Sequence, residues 1–228
     1  MSRQLILDLP HRTAQGREDF LVAACNEDAV AWIDRWPEWQ GGALALYGAE
    51  GSGKSHLAEV WRARCDGVRI DAADLSVAGV PEIAAARAVI LDHADTVRQE
   101  TALLHLINLL RQDGGSLLCL SQDAPGRWNI QLADLRSRLT AMQSVGIADP
   151  DDQLLGAVML KLFSDRQLRA PLEVVSFLVA RIERSFAAAR AMVVILDRLV
   201  AGEMRPLTIA LARKALAQTP GIGDTGPE

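Results

Sequence analysis

Cysteine is scarce in this chain: three residues, Cys25, Cys65 and Cys119, far apart and odd in number. They form no zinc-type spacing and no disulfide framework, which points to a reducing cytoplasm. Long apolar runs are lacking too. The longest, such as "AMVVIL", fall well short of the ~18 residues of a membrane helix, so no membrane partner is expected. "MSRQLILDLPHR" has neither the apolar length nor the small-residue cleavage site of a secretory signal. Positive charge is also in deficit, with 24 Lys and Arg against 29 Asp and Glu and a net charge of −5. Proteins that hold nucleic acid through its phosphates carry a basic surplus or stripe. Here the arginines are interleaved with acids, which argues against DNA as the main direct ligand.

What is present is enough apolar material for a sizeable core: 50% of 228 residues are hydrophobic. The pattern divides the chain. Residues 1–16 read as a peptide ahead of the fold, with "QLILDLP" its apolar part. A helical pattern runs from about Arg17 to Trp36, with Trp32 and Trp36 on one face. "ALALYG" is a short strand leading into "AEGSGKS", and "HLAEVWRARC" continues as a helix. "GVRIDAADL", "AAARAVILD" and "SLLCLS" supply three more strands. Between the last two, "ETALLHLINLLRQDGG" shows helical period through Leu103, Leu106, Ile107 and Leu110, stopped by Gly114 and Gly115. Strands alternating with helices predict a mostly parallel sheet covered on both faces, an α/β domain over 17–148.

The character changes at "ADPDDQ", where Asp149 suits an N-cap and Pro150 the first helical position. Only helix patterns follow. They are marked by Leu154, Leu155, Val158 and Leu162, by Val174, Val175, Leu178, Val179 and Ile182, and by Met192, Val193, Ile195, Leu196 and Leu199. The fourth is "TIALARKAL", capped by Thr208. This predicts a small all-helical domain over 149–218 and a disordered tail over 219–228.

The densest chemical signal is "GAEGSGKS" at 48–55, which satisfies G-x-x-x-x-G-K-[ST] with Gly48, Gly53, Lys54 and Ser55. Gly51, Ser52 and His56 complete the segment. Such glycines let backbone N–H groups curl around phosphates at the positive end of the next helix. The lysine reaches the β- and γ-phosphates and the hydroxyl of Ser55 ligates Mg²⁺. The expected ligand is therefore ADP or ATP with Mg²⁺. "AVILD" ends in Asp92, where a second phosphate-site element places an acid near the metal. His93 follows, in a place where many ATPases carry a glutamate to polarise water. Imidazole has no fixed negative charge at neutral pH, and Asp95 lies two residues further on.

These motifs together resemble the AAA+ ATPases, and within them the DnaA branch. "LLCLSQDAP" is similar to that branch's sensor 1 strand and loop, and "LADLRSRLTAM" to its box VII. "AAARAMVVILDRL" is similar to its sensor 2 helix. The resemblance implies that Asp92 supports Mg²⁺, that Arg190 senses the nucleotide from a helical lid, and that Arg138 is an arginine finger offered to a neighbour's ATP. Arg136 stands close enough to share that role. Taken alone, each arginine reads more readily as a solvated helix charge. His93 and Gln122 depart from the branch's pattern, which expects acids there, so the chain's own hydrolysis is expected to be weak. DnaA itself continues into a helix-turn-helix DNA-binding domain, whereas these residues end after the lid. "QLILDLP" resembles the clamp-binding peptides of bacterial replication proteins, with Gln4 making polar contacts and Leu5, Leu7 and Leu9 filling apolar pockets. Read without the resemblance, it is an edge strand.

The resemblance thus implies a negative regulator of replication initiation, tethered to the sliding clamp and stimulating hydrolysis of DnaA-bound ATP. DNA would be met only through the clamp. A homodimer stays open. Three alternatives remain: an ATP-driven helicase-loader-type motor, a P-loop kinase of small metabolites, and a nucleotide-binding scaffold without catalysis in trans. The second would require an acceptor pocket and a mobile lid inserted in the α/β domain, and no such insertion is visible.

Overall fold

In a computed structural model of the chain the described residues are 22–203 and 206–218. The peptide 1–16 with Gln4, Leu5, Leu7 and Leu9, the beginning of the helical pattern at Arg17, and the tail 219–228 lie outside them.

Five strands make one sheet: β1 (Ala43–Gly48), β2 (Val68–Asp71), β3 (Ala88–Asp92), β4 (Ser116–Ser121) and β5 (Gln143–Ile147), in the order β2-β3-β4-β1-β5. Every pairing is parallel. Alternation along the strands sorts side chains to two faces. Ala45, Leu91, Leu117 and Cys119 face a core shared with α3 (Val80–Ala85), α4 (Glu100–Gln112) and α5 (Ala133–Ala141). Leu44, Leu46, Ile90, Leu118 and Val145 face the opposite core, with α1 (Glu27–Asp34) and α2 (Lys54–Cys65). The expected parallel sheet between helices is therefore present.

The strand β5 is an addition to the sequence reading, which found four. Its segment "QSVGI" buries only Val145 and Ile147, because it is an edge strand paired with β1 alone. The first helix is also shorter than the pattern suggested within the described residues: α1 ends at Asp34, and Trp36 packs edge-on against Trp61 from the turn beyond it, 6.1 Å between ring centroids.

Past the sheet the regular elements among the described residues are helices: α6 (Asp152–Asp165), α7 (Leu172–Val179), α8 (Phe186–Glu203) and α9 (Ile209–Leu216). They enclose a separate core that includes Leu155, Met159, Phe163, Val174, Leu178, Met192, Val193, Leu196 and Leu211. The cap of α6 corrects the expectation of Asp149. Asp151 is the N-cap, its carboxylate accepting from the Leu154 amide at 2.7 Å, and Pro150 stands outside the helix. The buried stripe of α6 runs through Leu155, Met159 and Phe163, with Leu154, Val158 and Leu162 only partly covered. Thr208 caps α9 as expected, accepting from the Leu211 amide at 3.3 Å.

Candidate functional site: the strand ends around the 48–55 loop

In open parallel sheets ligands gather at the carboxyl ends of the strands, where loops diverge. Here that edge holds the loop after β1, the end of β3 and the end of β4. Gly48, Gly51 and Gly53 have φ of 154°, 75° and 105°, a left-handed run that lets the chain curl into a loop. Gly48 has a second reason to be glycine: a Cβ there would stand 2.5 Å from the Ile147 carbonyl oxygen. At Gly51 a Cβ would stand 2.4 Å from that of Ala187, at the start of α8.

The loop delivers the chain into α2 with Gly53 at the N-cap and no side-chain cap. The first turn of a helix has N–H groups without intrahelical partners and the positive end of the dipole, so it can receive an anion. Lys54 donates to the Gly48 and Ala49 carbonyls, both at 2.7 Å, which holds its ammonium inside the loop. Partial burial lowers its pKa, against the pull of Asp95, Asp92 and Glu50. The Ser52 hydroxyl is buried with no hydrogen-bond partner among the described residues. Ser55 and His56 follow in the first turn of α2. Chemically, the arrangement can enclose a polyanion with backbone amides, one ammonium and hydroxyls.

The end of β3 meets the end of β2. Asp71 and Asp92 are register partners in the two parallel strands. Arg69, two residues before Asp71 and therefore on the same face of β2, bridges three groups. Its Nε donates to Asp92 Oδ2 at 3.0 Å, joined by a second donation from Nη2. Nη1 donates to Glu59 Oε1 at 3.0 Å, and Nη2 reaches Ser55 Oγ at 3.3 Å. Burial works against the charge on Arg69, but its bonds to Asp92 and Glu59 outweigh that and raise its pKa.

Ser55 and Asp92 are the residues expected to ligate Mg²⁺. As arranged, they do not fit it. Mg²⁺ demands near-ideal octahedral oxygen geometry, and both side chains are already committed to a guanidinium that never deprotonates. A second cation there would also meet repulsion: at ~4 Å and an effective dielectric near 20, roughly twice the ~4 kcal/mol of two unit charges. No group of three or more His, Cys, Asp or Glu side chains among the described residues is placed to hold a metal. Sequence reading missed Arg69 altogether, since "GVRID" registered only as a strand.

His93 has left-handed backbone angles, φ 49° and ψ 39°. Its Nδ1 lies 2.7 Å from Asp71 Oδ2, and that bond raises its pKa against a smaller effect of burial. Asp95 accepts from the Gln122 amide at 2.9 Å, tying the turn after β3 to the end of β4.

The arginines differ in their engagements. Arg136 donates to the Ile130 carbonyl through Nε at 3.1 Å and also through Nη2. Arg138 is exposed near the end of α5 and makes no hydrogen bond or ion pair among the described residues. Arg190 is exposed on α8, three residues beyond Ala187 and so on the same side of the helix that meets Gly51.

No protein-family model and no curated protein sequence matches the chain. Solved structures do. Domain III of the replication initiation protein DnaA from Thermotoga maritima aligns with a TM-score of 0.76 at 17% identity, over 92% of this chain and 98% of that one. The replication initiator DnaA bound to AMPPCP and single-stranded DNA aligns with a TM-score of 0.67 at 17% identity, over 82% of this chain and 67% of that one. The RuvB Holliday junction branch migration motor of Thermotoga maritima gives 0.70 at 13% identity, over 89% and 71%. The fold is that of a DnaA-like AAA+ protein. At such identities the likeness extends to the fold alone. No helix among the described residues is long and apolar enough to cross a membrane.

Proposed function

We propose that the chain holds an adenine nucleotide in the 48–55 loop and works as an Hda-type regulator of replication initiation. Tethered to the replicative sliding clamp through Gln4, Leu5, Leu7 and Leu9, it presents Arg138 to ATP bound by DnaA and speeds that ATP's hydrolysis. DNA is met only through the clamp. The observation that carries this reading is the contrast on α5: Arg136 is spent on a carbonyl of its own chain, while Arg138 stands exposed without a partner among the described residues. A free guanidinium offers five donors in a planar fork suited to phosphate oxygens. Supplied in trans, such an arginine is worth ~10³–10⁵ in rate.

Two features support a protein that keeps its own nucleotide, ADP or ATP, rather than hydrolysing ATP. His93, in place of a water-polarising acid, is turned to Asp71. Asp95, the nearest substitute, is engaged with the Gln122 amide. Support for an adenine nucleotide comes from the similar DnaA bound to AMPPCP; Lys54 with the amides of Gly51, Ser52, Gly53, Ser55 and His56 would hold the phosphates, and Arg190 would approach from α8.

The test is ATP hydrolysis by purified DnaA in the presence of this protein and a DNA-loaded clamp. Arg138→Ala should lose nearly all stimulation while still binding ADP and clamp. Replacing Gln4, Leu5 and Leu7 by alanine should abolish clamp binding and spare ADP binding. Undiminished stimulation by both Arg138→Ala and Arg136→Ala rules out a finger from α5. Vigorous ATP hydrolysis without DnaA would favour a motor instead.

A further inference from the structure

Resting on the nucleotide site proposed above, we propose that Arg69 takes the place of Mg²⁺ there, so that the protein binds its nucleotide without a metal. Three positions carry the inference. Ser55 is the hydroxyl directly after the loop lysine, and Asp92 is the acid at the tip of β3. Both belong to the place where a P-loop protein keeps its metal, and the Arg69 guanidinium is bonded to both. The third, Glu59 on the second turn of α2, holds the guanidinium through Nη1, a nitrogen that Asp92 does not use. Glu59 is itself held by Arg62 at 2.7 Å, so the anchor is a fixed one.

The local sequence makes this geometry. Arg69 and Asp71 alternate onto one face of β2, and the parallel register sets Asp71 beside Asp92. An arginine side chain two residues upstream has the length to cross to the neighbouring strand's carboxylate. Arg69 stands on the edge strand β2 with 31% of its side chain exposed, so the guanidinium is partly covered by the groups it bonds.

A metal at a nucleotide site neutralises phosphate charge and ties it to the protein through the hydroxyl and the acid. Arg69 can do both. Its charge is permanent, and of its five N–H donors two go to Asp92, one to Glu59 and one to Ser55, which leaves one on Nη1 for a phosphate oxygen. It differs from Mg²⁺ in one respect that matters for function. A guanidinium has no bound water to lose and generates no metal-held nucleophile, so a site built this way favours retention of a nucleotide over its turnover.

The experiment compares ADP binding by calorimetric titration in Mg²⁺ and in EDTA, for the full chain and for Arg69→Gln. The unsubstituted protein should bind ADP with affinities within about twofold of each other in the two buffers. Arg69→Gln should lose about tenfold or more in EDTA, the scale of one charge-assisted phosphate contact, and recover much of it in Mg²⁺ as the vacated pair accepts the ion. Mn²⁺ supplies a direct readout: the ADP complex of Arg69→Gln should show a bound, anisotropic Mn²⁺ resonance, and that of the unsubstituted protein should not. A tenfold loss of ADP affinity by the unsubstituted protein in EDTA overturns the proposal, as does a protein-bound Mn²⁺ signal from its ADP complex. These readings need no variant, so a failure of Arg69→Gln to fold leaves the test intact. No ADP binding in either buffer would overturn the nucleotide site itself, and this proposal with it.

Discussion

Asp71 and Asp92 stand side by side on adjacent parallel strands, and each carboxylate is answered by a different side chain: Arg69 bonds Asp92 and His93 bonds Asp71. The cross-over relieves a like-charge pair that the register would otherwise leave unbalanced. It also takes the residue after the strand acid away from the loop.

This arrangement has a pH signature. The Asp71 bond raises the His93 pKa above the ordinary 6.5, with Asp92 and Asp95 adding to it. A group whose folded value is raised stabilises the fold below its unfolded pKa, and that contribution fades as pH climbs through the folded value. With 62% of the His93 side chain exposed, solvent screens the effect and keeps it small. In a proton NMR titration His93 should therefore titrate above 6.5, and Asp71→Asn should move its midpoint down. An unchanged midpoint in that variant would mean that the two side chains do not pair in solution.

Gly51 tests how tightly the loop is seated against α8. Gly51→Ala forces a side chain into a left-handed conformation and against Ala187, for a combined loss of about 2–4 kcal/mol in urea unfolding. Adding Ala187→Gly should return the packing part and leave the backbone part. The double-mutant cycle then shows a coupling of about 1 kcal/mol or more. Strict additivity would separate the loop from α8.

The two α5 arginines should part company in stability as well as in function. Arg136→Ala removes two donations to the Ile130 carbonyl and should lower unfolding stability by about 1–2 kcal/mol. Arg138→Ala, losing no bond to any described residue, should stay within about 0.5 kcal/mol of the unsubstituted protein. Equal losses would place Arg138 in a contact of its own.

The loop 48–55 was legible because its chemistry is local: glycines with left-handed angles and a lysine adjoining a helix start are written consecutively. The same holds for α4 and α7, whose buried stripes fall where helical period sets them. What escaped depends on neighbours distant in sequence. β5 has too few buried positions to show alternation, and its strand character comes from pairing with β1. Arg69 is one arginine among many until the β2–β3 register carries it to Asp92, and no spacing within "GVRID" encodes that. The α6 cap was misplaced because two aspartates flank Pro150, and only the carboxylate at 151 lies where the Leu154 amide can reach it.

The packing beneath the loop has an optical consequence. Trp61 lies on α2, the helix that begins at Lys54, and is stacked on Trp39 at 5.2 Å between ring centroids with Trp36 against its edge. Neighbouring indoles share and quench excitation in a way that depends steeply on their overlap. A shift of α2 along its axis alters that overlap, because Trp39 and Trp36 belong to the segment before β1 rather than to α2. The protein thus carries an unlabelled fluorescent gauge of the position of α2, built from side chains whose first task is to fill a core.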